Sequence, residues 1–533
     1  MRHLCWRWIV AGVVLAACED KEMQLVLPEP QILLGTSAST DITQEPGFEV
    51  RVPLTLQAVA GLADFRVTRN GDPFDEVVFA TAEFTQGYEL YVPIASSVPV
   101  GTVYRFDLSL RDKRGRLSTQ TLTVRVNRTY LEEEVNVAGE TVIRLKGRVN
   151  GDYLMRATKN YWIDSTFSIE ANGKLTVEAG TQVYFRSYPS GTGVSSLVIA
   201  AGSRIEAIGT AENPIVFTSD KVLLGGAGPG DWGGIYLFGN APTNQGPTIL
   251  ENGFRYGGSN LTENSGTLRY LRIEYAGKAG AHGLHLFGIG AGTTVENVQV
   301  FRCFNIAFRL KGGHVRLKRI AAIGYGGYGI WAEHGWRGQG QFWLFQTDVK
   351  ATLLPVNYWN QARAVEMRND ENFFVREPRT QFQLANVTCI GNGFAENVDN
   401  GTRRGIRIRR GAVGTLQNAL VTQFPDDGVR VEDLDLSELG TLMVMANQRT
   451  WNNRVDFNNE ALTFFFESGA YNITKDPVAG VGLTNFVGTE VSPFNPATLS
   501  AWFEPAPYIG AVDASNDWTS IGVWFKNADG TIR

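Results

Sequence analysis

The chain of 533 residues is short of the groups that usually announce chemistry. It has four cysteines and five histidines, and no Cys/His spacing suits a zinc site. Charged residues make up 19%, below the roughly 25% of an average globular protein. Lys and Arg (49) fall short of Asp and Glu (54), giving a net charge of −5, so no nucleic-acid partner is expected. Beyond the N-terminus no apolar run reaches the roughly 18 residues needed to span a bilayer. No cofactor is implied. What the chain does have is 59 glycines and 43% hydrophobic residues. That composition excludes wholesale disorder and points to short strands joined by tight turns.

The N-terminus reads as an address. Arg2 and Arg7 precede a short apolar run, Trp8 to Ala17, the length of a signal-peptide core. It ends in Leu15-Ala16-Ala17-Cys18, which looks like a bacterial lipobox, with Cys18 the residue that would be acylated. Cleavage would leave Cys18 followed by Glu19-Asp20-Lys21-Glu22. That acidic start resembles the surface-export signals of Bacteroidota lipoproteins. The expected location is the outer membrane, lipid-anchored and facing outward, with a periplasm-facing anchor as the alternative. Cys5 leaves with the signal. Cys303 and Cys389 fall at different positions of the repeat described below and are expected to be buried free thiols.

Four segments are expected: a signal peptide (1–17), a lipidated tether (18–46), an immunoglobulin-like β-sandwich (47–130) and a parallel β-helix with a C-terminal cap (131–533). The sandwich rests on alternating stretches at 48–56, 63–68, 76–79, 88–94, 103–110 and 117–126, with turns such as Asn70-Gly71 between them. Its expected role is that of a spacer.

The β-helix rests on internal repetition. Leu175, Gly180 and Val183 recur 22 residues later as Leu197, Gly202 and Ile205. Leu268, Leu271 and Ile273 recur as Val295, Val298 and Val300 at a spacing of 27, then as Leu317, Ile320 and Ala322 at 22. Leu384, Val387 and Cys389 recur as Leu416, Ala419 and Val421 at 32. One coil of a solenoid cannot bury its apolar edge alone, so coils stack. Extra residues must loop out at the corners. The fold class is therefore all-β, a sandwich followed by a right-handed parallel β-helix.

The stretch Ser196 to Ser219 resembles the entry coils of a family of right-handed β-helix lipoproteins from Bacteroidota. Asp231-Trp232-Gly233-Gly234, Gly239 to Pro242, Gly290 to Glu296, Gly338 to Trp343, Arg363 to Met367, Tyr508 to Ala511 and Asp517-Trp518 follow in the family's order. The resemblance implies fold and location rather than an activity. Where relatives carry acidic pairs in two successive coils, this chain has Phe304 to Arg309 and Tyr325 to Trp331, so a cation site there would be lost.

No catalytic set assembles from sequence. Ala281-His282-Gly283, Arg407-Ile408-Arg409 and Asp426-Asp427-Gly428 are pieces of a polygalacturonase-like site, but in the wrong chain order. No ladder of acids across coils is found, as a Ca²⁺-dependent lyase would need. Asp426 and Asp427 are weak metal candidates beside the plainer reading of a polar corner. His282 and His285 can share a face but lack a third ligand. The richest ligand candidate is Trp331, Glu333, His334, Trp336, Arg337 and Gln339, where indoles beside polar groups suit sugar rings. Arg407 and Arg409, alternating outward on one strand, suit a uronate, a sulfated glycan or a phosphate. The first reading is a non-enzymatic protein binding extracellular glycan or supporting adhesion or a surface complex. The second is a polysaccharide lyase or hydrolase using the insertions near 220–265 and 345–380. The third is a purely structural envelope component.

Overall fold

The computed structural model describes residues 27–35, 38–95, 97–347, 362–393 and 403–533. They form two compact units, divided after Arg128.

The first unit is a β-sandwich. One sheet has three strands in the order Gln31–Leu34, Glu49–Gln57, Thr85–Pro93. The other has five, Asp41–Gln44, Leu117–Val126, Val103–Asp112, Leu62–Arg69 and Asp72–Val78. Strict alternation in Glu49–Gln57 sends Val50, Val52, Leu54 and Leu56 inward, against Phe65, Val67, Phe106, Leu108 and Leu122 of the facing sheet. Asn70 and Gly71 both adopt positive φ (54° and 93°), as the tight turn between Leu62–Arg69 and Asp72–Val78 requires. The stretch expected as tether is corrected in its second half: Gln31–Leu34 and Asp41–Gln44 are strands. Each is four residues of alternating exposed and half-buried positions, too short and too polar to stand out in the sequence.

The second unit is a parallel β-helix of three sheets. Strands such as Gly266–Glu274 serve two of them. Residues 266–269 pair with Arg204–Ile208 in sheet I, while 271–273 pair with Ile215–Ser219 in sheet II. The bend falls on one residue of positive φ, and that residue repeats coil after coil: Tyr270, Asn297, Arg319, Phe342, Asn386, Asn418 and Asn447. Asn recurs because its short polar side chain tolerates the left-handed conformation. Sheet III is built from Ser196–Ile199, Ile235–Phe238, Leu284–Phe287, Phe308–Lys311, Tyr328–Glu333, Arg363–Arg368, Arg404–Arg409, Asp427–Val431 and Val455–Asn459.

The expected registers at 27, 22 and 32 residues are the observed pairings. Between the last two sets lies one more coil, Gln339–Gln346, so the inward column reads Val300, Ala322, Phe345, Cys389, Val421. In the neighbouring column Leu317 is followed by Gly340 and Leu384. A Cβ on Gly340 would lie 2.3 Å from the Trp343 ring, so the missing side chain is where the indole packs. The first expected register is corrected. Leu175 pairs with Ile205 and Val183 with Phe217, while Leu197 pairs with Phe167 on a different sheet. The corners at Gly180 and Gly202 belong to different edges of the solenoid, and the inward-residue, glycine, inward-residue pattern is common to both. Cys303 and Cys389 are free and buried.

The last coil is closed by Ala461–Phe466, which buries Ala461 and Phe465 against the core. From there the chain does not remain at the end. It returns along the solenoid: Asn418 bonds Phe494 O (3.2 Å), Gln341 bonds Glu504 N and O (2.8 and 2.9 Å), Gln299 bonds Lys526 N and O (2.9 and 2.7 Å), and Val523 N reaches Ala211 O (2.7 Å). Phe486, Tyr508, Trp518, Trp524 and Phe525 of this segment cover the outward Phe301, Ile323, Phe342, Leu344 and Ile390. The expected cap is thus an end plug followed by a lengthwise strap.

Candidate functional site

Alternation in the short strands of sheet III turns Ile235, Leu237, Leu284, Leu286, Ile330, Ala332, Val365 and Met367 into the core. The residues between them face outward and stack in register as Val198, Tyr236, His285, Arg309, Trp331, Glu366, Arg407 and Arg430. Successive coils are about 4.8 Å apart. One end of this column is aromatic and the other is charged.

At the charged end Glu333 (3% exposed) pairs with both Arg309 and Arg368. The two guanidiniums sandwich the Trp331 indole, 4.1 and 4.0 Å from its ring centre. Burial alone would raise the Glu333 carboxyl; Arg309, His334 and Arg368 outweigh it and bring it to about 2. Glu366 accepts from Arg409 (2.6 Å) and Arg363 (3.2 Å). Glu432 pairs with Arg407 and Arg430. Asp427 is held by Arg404 (2.8 Å), Arg430 (3.1 Å) and Asn458 (2.9 Å), and Asp426 pairs with Arg404 (3.0 Å). Burial and the neighbouring Asp427 charge raise Asp426. No two of Glu333, Glu366, Asp427 and Glu432 stack in register on neighbouring coils: Glu366 stands between Trp331 and Arg407 in its column, and each of the four faces two guanidiniums. Asp426 and Asp427 have their charge met by Arg404 and Arg430 and are poor cation ligands; among the described residues no group of three His, Cys, Asp or Glu could hold a metal.

At the aromatic end Tyr236 stacks on His285, centroids 3.6 Å apart. The His282 backbone N–H donates to His285 Nε2 at 3.1 Å, so Nδ1 carries the proton and donates to Ile235 O at 3.0 Å. Both nitrogens are used, and burial depresses the ring to about 3. His285 is therefore a neutral structural group and the histidine pair is no metal site. Above it lies a cleft of about 380 Å³. Val198, Tyr236 and Phe238 lie along it, with Glu251 and Phe254 from the hairpin Ile249–Glu251/Phe254–Tyr256 and Lys278 from the turn Lys278–Gly280.

The structure brings Trp331, Glu333, Arg407 and Arg409 onto this one face, with His334 at its corner, Nε2 3.5 Å from Glu333. It separates the others. Trp336 is wholly buried and its indole N–H donates to Val315 O (3.2 Å), so it packs in the core and offers no ring to a ligand. Arg337 and Gln339 lie toward sheet I, bonded to Gln381 (2.6 Å) and Gln383 (2.7 Å). Arg309, Arg368 and Glu366 were not singled out from sequence, although Arg309 stands one 22-residue coil before Trp331. Trp232, from one of the repeated motifs, is a core residue: it stacks on Phe185 (3.7 Å) and donates to Glu274 O (2.7 Å). Cys18 lies outside the described residues.

Three parallel sheets stacked coil on coil in register define a β-helix protein. Residues 147–484 match the family described as a pectate-lyase like beta helix domain, and the chain belongs to that family. Among solved structures it is similar to pectate lyase Pel3 from Pectobacterium carotovorum, at 8% identity over 67% of this chain and 89% of that one, TM-score 0.16. It is also similar to pectate lyase PelI from Erwinia chrysanthemi, solved with tetragalacturonic acid, at 7% identity over 79% and 89%, TM-score 0.10. No curated protein matches the chain.

Proposed function

We propose that this protein is a lipid-anchored surface protein of a Bacteroidota outer membrane, held through acylated Cys18. Its β-helix binds an extracellular glycan along the outward side of sheet III without cleaving it. The observation that carries the reading is the floor itself: a cleft walled by Tyr236 and Phe254 continues into a strip where every carboxylate is met by guanidiniums. Ring faces suit the C–H faces of sugars. A general acid or base needs a pKa near the working pH, and Glu333 at about 2 and His285 at about 3 are far from it.

A glycan array on the chain lacking residues 1–22, with product analysis of each retained polymer, tests this. Retention without shortening is expected, weakened about tenfold by Tyr236→Ala or Phe254→Ala. A second reading, a polysaccharide lyase, is favoured by the family and by acids standing beside arginines on one face. Shortened products with unsaturated ends would establish it in place of the first. The anchor is tested separately: fatty-acid labelling should be lost in Cys18→Ala.

A further inference from the structure

We propose that the outward side of sheet I carries a second binding groove, for an acidic glycan whose sugars bear carboxylate or sulfate groups. It lies on a different sheet from the face described above and uses different residues.

The groove, about 700 Å³, crosses four coils, from Arg316 through Gln339 and Gln383 to Thr415. At about 4.8 Å per coil that is roughly 14 Å along the axis, room for a short run of sugar rings. Its floor is preorganised. Gln339 Nε2 donates to Gln383 Oε1 (2.7 Å) and to Ser500 Oγ (3.0 Å), and Arg337 donates to Gln381 Oε1 (2.6 Å). These bonds occupy the carbonyl oxygens of Gln381 and Gln383, so both residues keep their amide N–H groups for something outside. A floor rich in donors asks for a ligand rich in acceptors.

The charges agree. No carboxylate is among the described residues that line the groove, whereas Arg316 and Arg337 are; His314 beside them is held neutral, its pKa lowered by burial and by Arg337. Arg316 bonds the carbonyl of Ala291 (3.0 Å) and Arg337 the amide of Gln381. Among the described residues neither has an acidic partner, unlike Arg309, Arg368, Arg407, Arg409 and Arg430 on sheet III. Unneutralised guanidiniums beside an open channel fit carboxylate and sulfate oxygens with two parallel bonds. At the same end Arg316 borders a smaller hollow, lined also by Glu296 and by the half-buried Trp502 of the returning C-terminal strap. Lys318 lies over that indole (4.6 Å to its ring centre) and pairs with Glu504 (3.1 Å), and Arg316 lies over the same ring (5.9 Å).

The full-length chain in detergent should be tested against oligogalacturonate, dextran sulfate and neutral dextran. Retention of at least one acidic polymer but not of dextran is expected, falling as salt rises. Arg316→Ala with Arg337→Ala should weaken it at least tenfold, Gln383→Ala about threefold, and Lys146→Ala, on an exposed strand position elsewhere, not at all. Arg337→Lys with Arg316→Lys should restore part of the loss. The variants are read only where circular dichroism and the unfolding midpoint match the parent. Oligogalacturonate alone points to a uronate ligand, dextran sulfate alone to a sulfated one, and either supports the groove. Unchanged affinity in the folded double Ala variant, or equal retention of dextran, overturns it. If binding is instead lost in Tyr236→Ala, the groove falls while glycan binding on sheet III stands; if no glycan is retained at all, both fall.

Discussion

Glu333 is the residue on which the sheet III network turns. Replacing it with Gln leaves Arg309, itself 5% exposed at its side chain, facing a neutral amide. Breaking a buried pair in this way costs about 3–5 kcal/mol, to be read as a lower urea midpoint of the β-helix unit. The network also fixes a pH dependence. Glu333 sits near 2 in the folded chain against about 4.5 unfolded, so its contribution is whole above pH 4.5 and disappears as pH falls toward 2. His285 and His334 act at higher pH: burial holds them near 3 and 4, below the ordinary 6.5. Their unfolded forms bind protons first, so stability begins to fall below pH 6.5. By pH 5 each costs about 2 kcal/mol relative to pH 8, and urea titrations at the two pH values should show that gap. Sequence drew attention to Trp331, Glu333 and His334 because three functional side chains cluster in four residues. It could not supply their partners. Arg309 lies 24 residues before Glu333 and Arg368 lies 35 after it, and only the coil register makes them neighbours. Trp336 misled for a related reason: inward and outward indoles look alike until the strand's phase is known.

At the scale of the single coil, the left-handed corner residue does most of the turning. Asn386 illustrates it, with φ at 56° and its side-chain amide donating to Ala506 O (3.1 Å) and Tyr508 O (2.8 Å). Asn386→Ala removes these two bonds and the one its Oδ1 accepts from Gln341 (3.2 Å), and places an unsuitable residue in that conformation, so a loss of about 2–3 kcal/mol in denaturant unfolding is expected. Asn386→Gly should lose less, since glycine keeps the backbone geometry. The coils themselves were legible where aliphatic ladders run uninterrupted, as from Leu268 to Leu317. They were misread at Leu175 and Leu197, where one corner pattern serves two edges. The coil at Gln339–Gln346 was recognised only as a motif, since Gly340 and Trp343 exchange volume between neighbouring columns and so break the aliphatic rule at both places. The short strands Gln31–Leu34 and Asp41–Gln44 escaped notice because edge pairing needs little apolar content.

Across the whole molecule the returning segment is the element that no periodicity foretold. It has almost no regular structure of its own, yet it buries the outer side of sheet II with Trp518, Trp524 and Phe525. Ending the chain after residue 474 should leave Phe301, Ile323, Phe342, Leu344 and Ile390 uncovered, a contiguous apolar patch that promotes association. Increased binding of a hydrophobic dye and concentration-dependent aggregation are the expected readouts. The order of synthesis then acquires a meaning. Residues 475–533 leave the ribosome after every coil they cover, so each nascent molecule carries a bare apolar flank until synthesis of this segment is done. A molecule cut short before this segment would display that flank permanently, a lasting mark by which proteases and chaperones can tell it from one whose coils are covered.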